Sequence, residues 1–147
     1  MSSTLTAPQI AAVKSAMVLG QDLPFWYPIN VTLTPNQSGV AGNVTTDNDA
    51  DFEWRELIAT STGSFQIQLV DRFTSRPLLP QNLVDNTGVI IFGVNSANIF
   101  GTAQQPFILP IPYIILRSAT IAGSFKDTSG AGNTIQVVLW GYKKFGS

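Results

Sequence analysis

The sequence contains no histidine and no cysteine, and only 12% of its 147 residues are charged. Without these two residue types, the chain lacks the side chains of ordinary zinc sites, thiol nucleophiles, haem ligation and Ser-His-Asp triads. Histidine is also the usual acid and base at neutral pH. These absences predict that the protein is not an enzyme and that it needs no cofactor.

The charges that remain are nearly balanced. Eight Lys and Arg residues and nine Asp and Glu residues give a net charge of −1. Nucleic-acid binding needs a basic surface, so nucleic acid is not an expected partner. No run approaches the ~18 apolar residues of a membrane-spanning helix, so no membrane partner is expected either. A free monomer with so few charges is poorly protected from association. The composition therefore favours a protein that packs against other proteins.

The first 20 residues carry a helical pattern that the rest of the chain lacks. Thr6 and Pro8 are typical of a helix start, and Gly20 is typical of a residue just beyond a helix end. Apolar residues recur between them at helical spacing, and these are Ile10, Val13 and Met17. The pattern predicts a helix over residues 7–19 with one narrow apolar stripe. Such a helix is marginal alone, so we expect another surface, such as a neighbouring subunit, to cover the stripe.

From Pro24 onward, apolar residues alternate with polar ones in about seven to nine short segments. This pattern predicts an all-β chain that forms one antiparallel β-sandwich or jelly roll over residues 24–147, preceded by an arm at residues 1–23. Pro28 lies inside the first strand pattern, and Pro110 and Pro112 lie inside a later one. Because proline cannot donate a ladder hydrogen bond, Pro28 predicts an edge strand or a bulge, and the other two predict an edge or chain outside any sheet.

Three local patterns lead to further expectations. Residues 35–51 are rich in Gly, Asn, Thr and Asp and are predicted to form a long loop. Residues 89–92 are apolar on both faces, so both sides of this segment are expected to be covered. Asp71 is followed closely by Arg72 and Arg76, and this spacing favours a buried ion pair that fixes the turn.

Carboxylates alternate along one stretch of the sequence at Asp47, Asp49 and Asp51. Oxygen ligands with this spacing can hold Ca²⁺ in a loop. An EF-hand that begins at Asp47 would need Gly and Glu where the sequence has Phe52 and Ile58. The test fails at both positions, and we expect a solvated acidic loop with no metal site.

Three aromatic residues, Phe25, Trp26 and Tyr27, follow one another where the arm meets the sandwich. Alternate members can enter the core or bind the arm, which is the simplest interpretation. Flat amphipathic rings also serve as intersubunit anchors and as platforms for sugars. The candidate protein interface therefore consists of Ile10, Val13, Met17, Phe25, Trp26 and Tyr27.

Several segments together resemble small structural proteins of tailed bacteriophages. They are residues 65–71 (FQIQLVD) with Arg76 and Leu78, residues 91–93 (IFG), residues 100–110 (FGTAQQPFILP) and residues 135–145 (IQVVLWGYKKF). The chain from Pro24 onward looks like a jelly-roll capsid cement (decoration) protein or a related phage head or tail component. This resemblance rests on pattern, and it assigns no functional residue.

The resemblance implies a non-enzymatic virion protein that stabilises a capsid from outside by bridging neighbouring subunits. Its expected partners are the major capsid protein and copies of itself. It would be made in the host cytoplasm and located on the capsid exterior, where the arm could also bind the shell. The alternative is a carbohydrate- or receptor-binding β-sandwich of a phage tail or spike.

Overall fold

Eleven β-strands and one 3-10 helix lie within residues 22–145, the part of the chain that the computed structural model describes. The long strands are β1 (Asp22–Leu33), β2 (Val40–Thr45), β3 (Asp51–Ser61), β4 (Phe65–Asp71), β9 (Phe107–Ile115), β10 (Thr120–Asp127) and β11 (Asn133–Lys144). The two-residue strands are β5 (Arg76–Pro77), β6 (Leu83–Val84), β7 (Ile90–Ile91) and β8 (Val94–Asn95). The 3-10 helix spans Ser96–Asn98. No helix in this part of the chain is long and apolar enough to cross a membrane.

The strands form two facing antiparallel sheets in a jelly-roll arrangement. One sheet has the order β1-β11-β3-β9, and the other has the order β2-β10-β4-β5, with β8 also paired to β4. The chain thus pairs as a long ribbon, in which β1 meets β11, β2 meets β10, β3 meets β9, and β4 meets β5 and β8. Wrapping this ribbon places alternate segments in opposite sheets, which confirms the predicted β-sandwich.

The core lies between the inward faces of the two sheets. Along β1, every second residue from Tyr27 to Leu33 is buried, and β11 alternates in the same way. Three phenylalanines are among the largest fully buried side chains, and they are Phe52, Phe65 and Phe125. The alternation of apolar and polar residues in the sequence therefore indicates which side chains form the core.

The prolines identified in the sequence lie in edge strands. β1 and β9 are the two edges of the four-stranded sheet. Pro24 and Pro28 belong to β1, and Pro110 and Pro112 belong to β9. The residues from 109 to 112 bulge away from β3, because pairing resumes only at Tyr113 on one side and at Ile108 on the other. The prediction that Pro28 lies in an edge strand is confirmed.

Other local predictions were wrong. Residues 35–51 are not one loop, because β2 forms within them and pairs with β10. Strand β1 begins at Asp22, so Asp22 and Leu23 belong to the sheet and not to the arm. Residues 89–92 are not covered on both sides, since Val89, Ile90 and Ile91 are exposed. The predicted helix over residues 7–19, with Ile10, Val13 and Met17, lies outside the described residues.

Candidate interaction surfaces

The solvent side of the four-stranded sheet is apolar over much of its area. Residues that pair directly across strands point to the same face, so the register defines three rows. We call these rows the outer face: Pro24, Tyr142, Glu53 and Ile114; Trp26, Trp140, Glu56 and Ile108; Pro28, Val138 and Ile58. An antiparallel sheet that faces water usually alternates apolar inside with polar outside. The outer face departs from this rule.

Polar rows border the outer face at both ends of the sheet. At one end, Asp22 and Lys144 pair across β1 and β11 with a 2.7 Å contact between Oδ2 and Nζ. At the other end, Gln136 Nε2 donates a 2.8 Å hydrogen bond to Asn30 Oδ1. An apolar centre with a polar rim is the usual anatomy of an interface.

Aromatic rings form the centre of the outer face. Trp26 is 52% exposed. Its ring packs edge-on against Trp140 at a centroid distance of 6.0 Å, and Trp140 packs against Tyr142 at 5.4 Å. The Arg55 guanidinium lies 5.3 Å from the Tyr142 ring centroid and also binds Glu53. These contacts hold the rings in place while leaving Trp26 open to a partner.

Phe25 and Tyr27 occupy a different environment from Trp26. Tyr27 is buried, and its ring packs edge-on against Phe52 at 4.8 Å. Its hydroxyl accepts a 3.0 Å hydrogen bond from the backbone N–H of Asp47. Phe25 is half-buried against Tyr27 at 4.9 Å. Of the three consecutive aromatics proposed as interface residues, Trp26 is therefore the one that presents its ring to solvent.

A buried lysine occupies the acidic loop for which calcium was considered. Lys143 Nζ donates to Asp47 Oδ2 at 2.8 Å and to Asp49 at 3.1 Å, and it lies 4.1 Å from the centroid of the Phe25 ring. Burial lowers the pKa of Lys143, but the hydrogen bonds to the two carboxylates outweigh it and leave that pKa raised. Within residues 22–145, no group of three or more acidic side chains converges to hold a metal ion. The loop thus serves an ion pair within the fold.

A second apolar surface projects from the five-stranded sheet. Strands β6 and β7 form a separate two-stranded sheet, which we call the apolar hairpin (residues 83–91). Val84 pairs with Ile90, and the two are 64% and 65% exposed. Leu83 pairs with Ile91 on the opposite face, and both are also exposed. The hairpin therefore has no polar face.

Polar contacts hold the apolar hairpin at both ends. At its base, Gln68 Nε2 donates to Asn82 Oδ1 at 3.0 Å and to the carbonyl oxygen of Phe92. At its tip, Asp85 Oδ1 accepts hydrogen bonds from the Thr87 N–H at 2.8 Å and the Val89 N–H at 3.0 Å. The Thr87 hydroxyl donates a further 2.6 Å hydrogen bond to Asp85 Oδ1, and this bond together with the two backbone bonds lowers the pKa of Asp85. The hairpin is thus a preformed element.

The turn after β4 does not contain the predicted pair of Asp71 with Arg72 or Arg76. The buried Asp71 carboxylate accepts a 2.9 Å hydrogen bond from the Phe73 N–H and another of 2.9 Å from the Tyr113 hydroxyl. Neither arginine makes an ion pair with it in the described part of the chain. Spacing in the sequence could not reveal Tyr113, because it lies 42 residues away.

Comparison with protein-family models, with curated protein sequences and with solved structures finds no match. The interpretation of these surfaces therefore depends on their chemistry. Sequence reasoning identified Trp26 as a candidate, but it missed the other members of the outer face and the apolar hairpin. Ile90 and Ile91 of the hairpin belong to the apolar run noted in the sequence, but their exposure and their pairing with Leu83 and Val84 were not predicted.

Proposed function

We propose that this chain is a non-enzymatic structural protein of a virus particle. In this role it is a cement protein on the capsid exterior that bridges neighbouring copies of the major capsid protein. The observation that carries the proposal is the apolar hairpin, which displays large apolar side chains on both faces. This role requires no catalysis, because the burial of protein surface between neighbouring subunits is sufficient to stabilise the capsid.

The hairpin has the properties of an insertion element. An isolated two-stranded hairpin is at best marginally stable in water, and it needs further strands or a packing partner. Leu83, Val84, Ile90 and Ile91 have no such partner within residues 22–145. Exposed apolar surface of this kind marks a protein interaction site. A cleft between two capsid subunits would cover both faces of the hairpin at once.

The fold and composition agree with this role but do not decide it. Jelly rolls occur in viral capsid proteins and also in lectins, so function has to be argued from the surface. The low charge of the chain favours dense packing with other subunits. A glycan- or receptor-binding sandwich of a tail or spike is the second candidate, favoured by the exposed indole of Trp26.

The test uses the recombinant full chain and capsids of the virus that encodes it, assembled without the chain. We expect the chain to co-sediment with these capsids. The double variant Val84→Asp/Ile90→Asp places two negative charges on one face of the hairpin and should weaken binding at least about tenfold. Ala131→Asp is the matched control, because it adds a charge to an exposed loop away from the hairpin and should leave binding unchanged.

A glycan array separates the two candidates. Retention on glycans that is lost in Trp26→Ala, together with no binding to capsids, would reject the cement role and support the second candidate. Equal capsid binding by the hairpin variant and by Ala131→Asp would show that the hairpin is not the contact. Circular dichroism of each variant verifies that the sandwich remains folded.

A further inference from the structure

We propose that the solvent side of the five-stranded sheet binds a uronic acid unit of a glycan, that is, a sugar ring that carries a carboxylate. The site is a cavity of about 280 Å³ beside the base of the apolar hairpin. It lies on the opposite sheet from the outer face and does not include the exposed apolar side chains of the hairpin. The inference therefore does not rest on the capsid role, and it differs from glycan binding at Trp26.

Small side chains form the floor of this cavity. The register places six of the lining residues in two adjacent outward rows of the sheet, Ala41, Ser124 and Gln68 in one and Asn43, Ala122 and Val70 in the other. Alanine and serine leave a depression in the sheet surface that larger side chains would fill. Its volume is just below the roughly 300 Å³ of the smallest pockets for drug-sized ligands. The cavity therefore suits a single sugar ring.

Gln68 provides a fixed hydrogen-bond acceptor in the cavity. Its side chain is more than nine-tenths buried, and Nε2 donates to the carbonyl oxygen of Phe92 and to Asn82 Oδ1. Because a backbone carbonyl can only accept, this contact fixes which end of the amide carries the oxygen. Gln68 Oε1 accepts no hydrogen bond within residues 22–145, where every side-chain polar atom that is closed off from solvent has a partner. Oε1 is therefore accessible, and a ligand in the cavity can donate to it.

Three further polar side chains line the cavity without a hydrogen bond to the rest of the described chain, and they are Asn43, Gln81 and Ser124. Amides and hydroxyls both donate and accept hydrogen bonds. They match the hydroxyl groups of a sugar, which do the same. A sulfate ion or a fully ionised phosphate ester offers only acceptors, and it would leave Gln68 Oε1 without a donor. The polar groups therefore favour a sugar over an inorganic anion.

The charge around the cavity favours a negatively charged sugar. Arg72 is the one charged residue that lines it, and this arginine forms no ion pair within residues 22–145. Lys126 lies in the next outward row beyond Ser124. The outward positions of β2, β10 and β4 hold no acidic side chain, because Asp71 and Asp127 lie on the inward side and are buried. A guanidinium binds a carboxylate through two parallel hydrogen bonds, so Arg72 suits the carboxylate of a uronic acid.

Probes that differ only in the carboxylate test the site on the full chain. Methyl glucuronide carries this group, and methyl glucoside has a neutral hydroxymethyl group in its place. Methyl galacturonide and methyl galactoside form a second pair, in which one ring hydroxyl has the other orientation. We expect at least one uronide to bind with a Kd in about the mM range, and its neutral counterpart to bind at least about tenfold more weakly. Titration followed by NMR chemical shifts measures both affinities.

Variants locate the binding site. Arg72→Gln should weaken uronide binding at least about tenfold and leave the weak binding of the neutral sugar unchanged. Arg76→Gln is the matched control, because Arg76 is an exposed arginine that does not line the cavity. Asn43→Ala should weaken the binding of both sugars, since its amide would contact hydroxyls that they share. Trp26→Ala should leave uronide binding unchanged, which separates this site from glycan binding on the outer face.

Three outcomes would overturn the proposal. The first is that neither uronide binds at about 50 mM. The second is that the uronide binds equally to Arg72→Gln and Arg76→Gln. The third is that inorganic phosphate competes with the uronide and binds more tightly, because the cavity would then be a simple anion site. All three are independent of co-sedimentation with capsids, which tests the hairpin, and thermal melts verify that each variant is folded.

Discussion

The Tyr113 hydroxyl donates a 2.9 Å hydrogen bond to the buried carboxylate of Asp71, and this bond joins the two sheets. Tyr113 belongs to β9 at the edge of the four-stranded sheet, whereas Asp71 ends β4 in the five-stranded sheet. Burial raises the pKa of Tyr113, and the hydrogen bond to Asp71 raises it further. The phenol therefore remains a donor at neutral pH and satisfies a carboxylate that water cannot reach.

Tyr113→Phe should lower the free energy of unfolding by about 1–3 kcal/mol, because it leaves one oxygen of the buried Asp71 without its donor. Urea unfolding at pH 7 measures this change. Tyr142→Phe is the matched control, since the Tyr142 hydroxyl makes no hydrogen bond in the described part of the chain. It should change stability by less than about 0.5 kcal/mol. Equal losses in the two variants would contradict the role of the bond between the sheets.

Lys143→Met should destabilise the fold at pH 7 by about 1–3 kcal/mol, because Asp47 and Asp49 lose their shared donor while remaining partly solvated. Lys144→Met alters the exposed pair with Asp22 and should cost less than about 1 kcal/mol. Urea unfolding of the two variants provides the comparison. A larger loss in Lys144→Met would contradict the assignment of the buried pair.

Alkaline pH should destabilise the unmodified chain more steeply than Lys143→Met. Because the pKa of Lys143 is raised in the folded state, its contribution to stability is fully present below the unfolded pKa, which is about 10.4 for lysine. The contribution is lost as the pH rises through the folded-state pKa. Burial raises the pKa of Tyr27 as well, and this shift acts in the same direction. Unfolding curves from pH 8 to pH 12 measure both slopes. Identical slopes would exclude Lys143 as a source of the effect.

Asp127 should govern stability in acid. Its carboxylate accepts hydrogen bonds from the Ser129 hydroxyl at 2.6 Å and from the backbone N–H of Asn36 at 2.8 Å, and these bonds hold its pKa well below the usual range. Because the pKa of Asp127 is lower in the folded state, its ionised carboxylate stabilises the fold at pH values above the unfolded pKa of 3.8. This contribution is lost as the pH falls through the folded-state pKa. Thermal melts from pH 7 to pH 2 should therefore show a smaller decline in Asp127→Asn. A decline as large as that of the unmodified chain would reject this role.

Gly141→Ala should destabilise the fold by about 3 kcal/mol or more. Gly141 lies at the register shift between β11 and β3, and a Cβ there would lie 1.9 Å from the carbonyl oxygen of Glu53. Backbone cannot move aside as a flexible side chain can, so the strands would have to separate. Gly132→Ala should be nearly neutral, because the nearest atom to its Cβ would be 3.9 Å away. Guanidinium unfolding compares the two substitutions.

Alternation and prolines made the outline of the sandwich predictable from the sequence. Strand β2 was missed because Val40 and Val44 are its only large apolar residues and Gly42 interrupts it. Pairing with β10 creates this strand, and a Cβ at position 42 would come within 3.0 Å of Phe125. Tertiary contacts thus decide the structure where local preference is weak.

The candidate surfaces were less predictable than the fold. The apolar run that contains Ile90 and Ile91 indicated complete burial, because a pattern of apolar residues does not say what covers them. Trp26 and Trp140 come together through pairing between the first and last strands, and no short spacing in the sequence encodes this contact. A surface formed by strands that are distant in the sequence can be predicted only when the register of the sheet is known.

The prolines at both edges of the four-stranded sheet also affect how this chain behaves when it is crowded. Open strand edges are the templates from which amyloid fibrils grow, and high local concentration promotes that growth. In β1 and β9 the missing N–H groups interrupt the template on both sides of the sheet. Both edges of this sheet are therefore poor templates for the addition of a strand from another chain.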